Sequence, residues 1–257
     1  MPLRPVGSSG EPAAAGTGAD LVYEQLREAI LHGRMAPGLV VSQVQLAKQL
    51  GVSRTPLREA VRMLQREGLV EGEANRMVRV APLSMEDVEE LYAVRIANEA
   101  LGIRLTAPSM TAEDDAFLES CLRDMAHYAA AGDIDMWEQR HRGFHAHLVR
   151  GGGRRLCKLL AELSDHAERY RRLYFTSQPR AVSVGASEHE AIVNACHDRD
   201  AARAAAELAR HLSRTALVAL MQIAPEHEPA MVRATLRSVL GSEAPPLPAP
   251  RLTGAGA

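Results

Sequence analysis

Gly51-Val52-Ser53-Arg54-Thr55-Pro56-Leu57-Arg58-Glu59-Ala60, continuing through Leu64 to Glu67-Gly68-Leu69-Val70, is the stretch on which the reading of this chain turns. On a helix counted from Arg54 at about 100° per residue, Arg58 and Arg62 fall at about 40° and 80°, one cationic face with Arg54. Leu57, Ala60, Val61 and Leu64 fall between about 240° and 340°, an adjoining face suited to burial. An arginine stripe alone is more often a solvated helix face, so the flanking sequence decides. Upstream, Leu46, Ala47 and Leu50 give a short helix that ends at Gly51. Ser53 then stands where a hydroxyl can accept the free amides of the next helix's first turn. The arginine-faced helix runs from about Arg54 to Glu67 and stops at Gly68. Leu69–Glu71 and Met77–Val80 read as two short strands around the polar turn Gly72-Glu73-Ala74-Asn75-Arg76. Short helix, tight turn, cationic helix and hairpin together predict a winged helix-turn-helix, whose second helix presents its N-terminal residues to base edges. Arg54 and Arg58 carry forked donors able to read guanine or clamp phosphate. Ser53 and Thr55 are placed to hold the nucleic-acid backbone.

Outward from that motif, Leu21, Leu26, Ile30 and Leu31 form a helical stripe that stops at His32-Gly33. Past Pro82-Leu83-Ser84 the pattern is helical throughout, with helices near 85–106, 111–131, 134–150, 153–174, 185–197 and 199–222. Glycine and proline fall mainly between them, at Pro108, Gly132, Gly151-Gly152-Gly153 and Pro179. A further amphipathic piece spans Ala230–Leu240. The expected organisation is a disordered tail over 1–19, a winged helix-turn-helix over 20–83, an all-helical domain over 84–223, and an extra helix with a second tail over 224–257. The expected fold class is mostly α: the N-terminal winged helix-turn-helix plus a C-terminal antiparallel bundle of about six helices.

Bulk properties exclude little but agree with this. The chain has 257 residues, 46% hydrophobic, 24% charged and only 4% aromatic, which suits a helical globular protein of two modest domains. A formal net charge of -2 does not argue against a nucleic-acid partner, because one basic face can be offset by an acidic second domain. Cys121, Cys157 and Cys196 form no Cys-x-x-Cys pair, and reduced thiols in a cytoplasm are expected. No apolar run approaches the roughly 18 residues of a membrane span, and no membrane role is expected.

The second domain's histidines are informative through their spacing. His141 and His145 lie one helical turn apart, beside Trp137, Phe144 and Leu148 in phase. His189 shares a face with Ile192, Val193 and Cys196, and His211 with Ala204, Leu208 and Val218. Three helices therefore each direct imidazole inward. Any one such histidine reads equally well as a hydrogen-bonded core group; convergence of several is what zinc, nickel or a similar ion prefers. His147 lies about 200° from His145 and is expected to point elsewhere.

The motif residues Gly51 to Ala60 with Leu64 and Glu67-Gly68-Leu69-Val70, together with Ile30-Leu31-His32-Gly33 and Pro37-Gly38, resemble the signature of GntR-family regulators over nearly all of 21–83. The resemblance implies DNA contacts from Arg54 and Arg58, Thr55 and Pro56 at the helix start, and Asn75 and Arg76 at the wing tip. With Ser53 and Arg62 these complete the expected DNA-binding set. Met77 replaces the family's usual wing glycine, and Val44 stands where some relatives carry a further DNA-contacting arginine. His141-Arg142-Gly143-Phe144-His145, Glu188-His189-Glu190-Ala191-Ile192, Arg210-His211-Leu212, and Val94-Arg95 with Glu99 resemble the FCD effector domain of FadR-type members. That resemblance implies a metal held by His145, His189 and His211, with His141 in the position usually filled by aspartate. The implied cofactor is a divalent transition metal, zinc or nickel, with open positions for a small carboxylate effector. Arg95 and Arg172 are the candidate carboxylate partners, although an ordinary helix salt bridge serves either equally well.

The resulting expectation is a homodimeric, cytoplasmic, ligand-responsive DNA-binding regulator, a repressor, acting on a pseudo-palindromic operator. A metal-responsive regulator and a metal-free regulator with an apolar ligand are the alternatives. A metalloenzyme ranks below them, since no general base is identifiable at the histidines.

Overall fold

The computed structural model describes residues 18–72, 77–177 and 179–241. It divides into two compact units, Met1–Leu83 and Ser84–Ala257.

In the first unit, α1 (Gly18–Leu31), α2 (Gln43–Leu50) and α3 (Arg54–Arg66) pack with strands β1 (Val40–Ser42), β2 (Val70–Gly72) and β3 (Met77–Val80). α1 opens two residues before the expected boundary, with Ala19 already buried. The sheet is antiparallel in the order β1-β3-β2, with Val41 opposite Val78 and Val70 opposite Val80. β1 was not anticipated: three residues after Pro37-Gly38 are too few to show an alternating pattern, and pairing to β3 creates the strand. Val22, Leu26 and Ile30 of α1 meet Leu46 and Leu50 of α2, the apolar face of α3, and Leu69, Val78 and Val80 in one core. Outside that core, Glu67 at the end of α3 accepts from Tyr23 Oη at 2.8 Å and pairs with Arg27 Nε at 2.7 Å, tying α1 to α3. Burial and the Glu67 carboxylate raise the Tyr23 hydroxyl to about 12, so it remains a donor.

The second unit is built on α4 (Met85–Thr106), whose Val88, Tyr92, Ile96, Ala100 and Ile103 are fully or almost fully buried. Around it lie α5 (Ala112–Ala131), α6 (Ile134–Leu148), α7 (Gly153–Ser177), α8 (Pro179–His197), α9 (Ala201–Ile223) and α10 (Ala230–Leu240). α8 begins at Pro179, earlier than the expected 185, since proline is tolerated at a first helical position where its missing N–H costs nothing. Side chains cap four of these starts: Ser84 accepts from Asp87 N, Thr111 from Asp114 N, Asp133 from Met136 N and Asp200 from Arg203 N. Gly102 lets α4 approach the turn after α6, because a Cβ there would lie 2.7 Å from the Val149 side chain. No helix among the described residues is long and apolar enough to cross a membrane.

Candidate functional site

α2 closes at Gly51, with φ of 67°, while Gly51 N–H donates to Lys48 O and Val52 N–H to Ala47 O. A left-handed residue here turns the chain into α3 with little strain only if it lacks a Cβ. α3 then divides as its sequence requires. Leu57, Ala60, Val61 and Leu64 are buried, while Ser53, Arg54, Thr55, Arg58 and Arg62 are exposed and Pro56 is half-buried. The guanidinium groups of Arg54, Arg58 and Arg62 have no hydrogen bond or ion pair among the described residues. Ser53 occupies the N-cap position with extended backbone, but its hydroxyl makes no capping bond, contrary to expectation. Pro56 occupies the third helical position and has no N–H to offer, which removes one of the two donors such a cap uses. The Ser53 hydroxyl is left at the exposed helix start beside Arg54. Asn75 and Arg76 lie outside the described residues. Val44 is 52% exposed on α2.

In the helical unit, α6 supplies His141 and His145, α8 supplies His189 and α9 supplies His211. All four are buried, at 3–4% exposure, and one nitrogen from each lies within 4.8 Å of the others. Ring centroids of His141 and His145, and of His189 and His211, are 4.5 Å apart. His145 Nδ1 lies 3.0 Å from Glu99 Oε2 of α4, and His211 Nδ1 lies 2.8 Å from Glu188 Oε2 of α8. Burial lowers the affinity of every ring for a proton. His145 falls to about 4 against the opposing pull of Glu99, His141 and His189 fall well below the ordinary value, and His211 is lowered too. Glu99 is also buried, yet the Arg95 charge and the His145 bond outweigh burial and hold it at about 2. A neutral imidazole facing an ionised carboxylate donates through Nδ1–H, which leaves the Nε2 lone pair on the other side of the ring.

Those outer atoms are the test of fit for a metal. His145 Nε2, His189 Nε2 and His141 Nδ1 are buried with no hydrogen-bond partner. Leaving a buried polar atom unsatisfied costs about 1–3 kcal/mol, and His145 and His189 each carry such an atom within the cluster, while His141 Nδ1 stands 4.0 Å from Glu138 Oε2. The donor set is four neutral nitrogens, a set suited to zinc or nickel, at metal–nitrogen distances of about 2.0–2.1 Å. Histidine rings anchored through their second nitrogen by carboxylates are a recurrent support for such ions. The residues present therefore fit the group.

The two candidate effector arginines are both engaged. Arg95, 1% exposed, pairs with Glu99 at 2.7 Å, completing a buried Arg95–Glu99–His145 relay beside the cluster. Arg172 pairs with Glu168 at 2.7 Å and with Asp135 at 2.6 Å. Its neighbour Arg171 is the buried one, held by Glu138 at 2.8 Å, and its charge bears on His141 and His189. Helical phase alone does not separate the two, because α7 buries every residue from Ala167 to Arg171, Glu168 one turn before Arg172 included. His147 faces away, donating from Nε2 to Asp114 Oδ1 over 2.9 Å and packing its ring on Phe117.

Comparison with known proteins places these two sites in a family. Residues 19–80 match the gntR family of bacterial regulatory proteins, and residues 90–214 match the FCD domain. The chain belongs to the GntR family, with an FCD domain. This GntR-family regulator is 33% identical over 164 residues to the HTH-type transcriptional regulator YdhC of Bacillus subtilis, covering 63% of this chain and 73% of that one. It is 27% identical over 198 residues to the HTH-type transcriptional repressor GlaR of Escherichia coli, covering 74% and 90%. Its fold superposes on that of E. coli McbR/YncC with a TM-score of 0.70 at 20% identity, covering 81% of this chain and 99% of that one. These relatives and neighbours are transcription regulators rather than enzymes, and the GntR-family regulator is a DNA-binding transcription regulator.

Proposed function

We propose that this regulator is a repressor that releases its operator when a small organic acid binds at a metal held by His141, His145, His189 and His211. The observation that carries the reading is the gathering of one nitrogen from each of His141, His145, His189 and His211 within 4.8 Å, with Nε2 of His145 and of His189 buried and without a hydrogen-bond partner. A divalent zinc or nickel ion would supply there a fixed positive charge able to hold a carboxylate. Glu99 and Glu188 orient His145 and His211 by accepting from their Nδ1–H groups. Arg95 lies in the same buried relay and provides one charge-assisted donor, while Arg171, rather than Arg172, provides the second guanidinium.

Operator binding rests on Ser53, Arg54, Thr55, Pro56, Arg58 and Arg62, with Asn75 and Arg76 as wing contributors. A homodimer brings two copies of α3 to successive major grooves of a pseudo-palindromic site. The shift in operator affinity that an effector produces is bounded by its preference between the DNA-competent and released states. Repression is supported by the printed description of the E. coli relative.

The test is the metal content of protein purified without a histidine tag or chelator, compared with a His189→Ala/His211→Ala variant. About one transition-metal ion per chain in the first and none in the second supports the reading. Metal-loaded protein is then screened against a panel of carboxylic acids for operator release. A metal-free wild type overturns the metal assignment, and loss of operator binding on chelation alone makes the ion itself the signal.

A further inference from the structure

On the side of Trp137 where α5 turns into α6, a cavity of about 230 Å³ is lined by Tyr128, Ala129, Gly132, Asp133, Ile134, Trp137 and Phe175. The chain has one tryptophan, five tyrosines and three phenylalanines, and one of each kind stands in this wall. Trp137 and Phe175 meet edge to face with centroids 4.5 Å apart, and the Trp137 ring is stacked on His141 at 4.5 Å. The only charged group in the wall is Asp133. One of its oxygens caps α6 by accepting from Met136 N at 3.1 Å, and no cation pairs with it among the described residues. Tyr128, Ala129 and Gly132 bring the end of α5 to the same wall, where the Ala129 and Tyr128 carbonyls already accept from Gly132 N and Asp133 N.

Aromatic rings and the exposed Asp133 carboxylate at their edge, with no lysine or arginine in the wall, are complementary to a positive charge carried on an apolar body. The volume falls below the roughly 300–1,000 Å³ of pockets for drug-sized ligands, so the ligand is small. We propose that this cavity is a second ligand site of the helical domain and that it takes a small organic cation, of the alkylammonium class. The site uses none of the metal-facing nitrogens and stands whether or not the histidine cluster holds an ion.

Trp137 is the chain's single tryptophan, so its emission reports the site directly. The full-length protein is titrated with choline and, separately, with the uncharged carbon analogue in which a quaternary carbon replaces the nitrogen. Binding is followed by Trp137 fluorescence and by saturation transfer to the ligand methyl protons. The expected result is saturable choline binding at millimolar concentration or below, with the neutral analogue about tenfold or more weaker. Asp133→Asn retains a side chain able to cap α6 while removing the charge, and is expected to weaken choline about tenfold with unchanged circular dichroism. Phe175→Leu, which keeps an apolar wall, is expected to weaken it by a similar factor. Equal binding of the neutral analogue, or choline affinity unchanged in Asp133→Asn, reduces the cavity to an apolar slot and overturns the proposal. Absence of both the fluorescence change and saturation transfer overturns it as well.

Discussion

The arginines of α3 and two of the helical unit, Arg95 and Arg171, obey opposite rules. Arg54, Arg58 and Arg62 stand exposed and unengaged among the described residues, whereas Arg95 and Arg171 are each 1% exposed and held by Glu99 and Glu138. Water solvates an exposed guanidinium at little cost, so a surface that awaits an outside polyanion can leave its charges unpaired. A buried charge or donor has no such reserve, and each interior atom must find a partner. An unpaired cation on α3 is consequently ordinary by itself and gains meaning from its row. An unpaired nitrogen on His145 or His189 gains its meaning from convergence, since Tyr92 Oη and Ser164 Oγ are also buried without a hydrogen-bond partner but stand outside any such cluster.

The largest effects should come from the exposed row. Arg54→Ala/Arg58→Ala is expected to weaken a selected operator fragment by about 100-fold or more, from about 1–3 kcal/mol per guanidinium. Fluorescence anisotropy measures the affinity, and thermal melting should be unchanged because neither residue holds the fold. Retained operator affinity would show that the row is merely solvated. Arg62→Ala, farther along the helix, should weaken specific and random DNA alike and reduce the salt slope by about one counterion.

The interior offers the next effect. Glu188→Gln keeps the size of the side chain that holds His211 Nδ1 and removes its charge. Metal affinity is expected to fall about 10–100-fold in competition with a chromogenic chelator. The metal-loaded variant should still bind operator at low salt, which separates loss of the centre from loss of the DNA face. Unchanged metal affinity would show that Glu188 serves Arg214 alone, its other partner.

The two regions were also unequally legible in the sequence. The DNA-reading face depends on local order: Gly51, the arginine spacing and the apolar phase of α3 are all within a few turns of one another, and each is where the pattern requires it. The histidine cluster was legible as a set of inward faces, since burial and helical period place His141, His145, His189 and His211 one helix at a time. Their supports were less so. Glu99 was visible only as part of a family motif, and nothing along the chain says that Glu188, rather than Glu190, reaches His211. Such pairings arise from the packing of α4, α8 and α9, in which one residue changes direction by about 100°. Arg172 shows the penalty, since its neighbour Arg171 is the buried one. The unformed Ser53 cap was not readable from Pro56 either, because the Thr55 N–H remains, at the position through which Ser42 caps α2.

The smallest expected effect belongs to neither site and serves to calibrate both. Thr111 and Asp114 form a reciprocal capping box at the start of α5, with Asp114 Oδ2 2.7 Å from Thr111 N. Thr111→Val should cost about 1 kcal/mol and lower the melting temperature by about 2–4 °C, leaving operator and metal affinities unchanged. The backbone donor of Thr111 first, and then its hydroxyl, Arg150 and His147, hold the Asp114 carboxyl at about 2. Because the folded state lowers this value below that of an unfolded aspartate, near about 4, the carboxylate's contribution is complete above that value and declines as pH falls through about 2. Melting of the wild type and Asp114→Asn should therefore differ at neutral pH and converge in strong acid. A difference constant down to pH of about 2 would show that Asp114 acts by shape rather than charge. Either result leaves the contrast between the exposed arginines and the buried histidines intact, since α5 contributes a residue to neither.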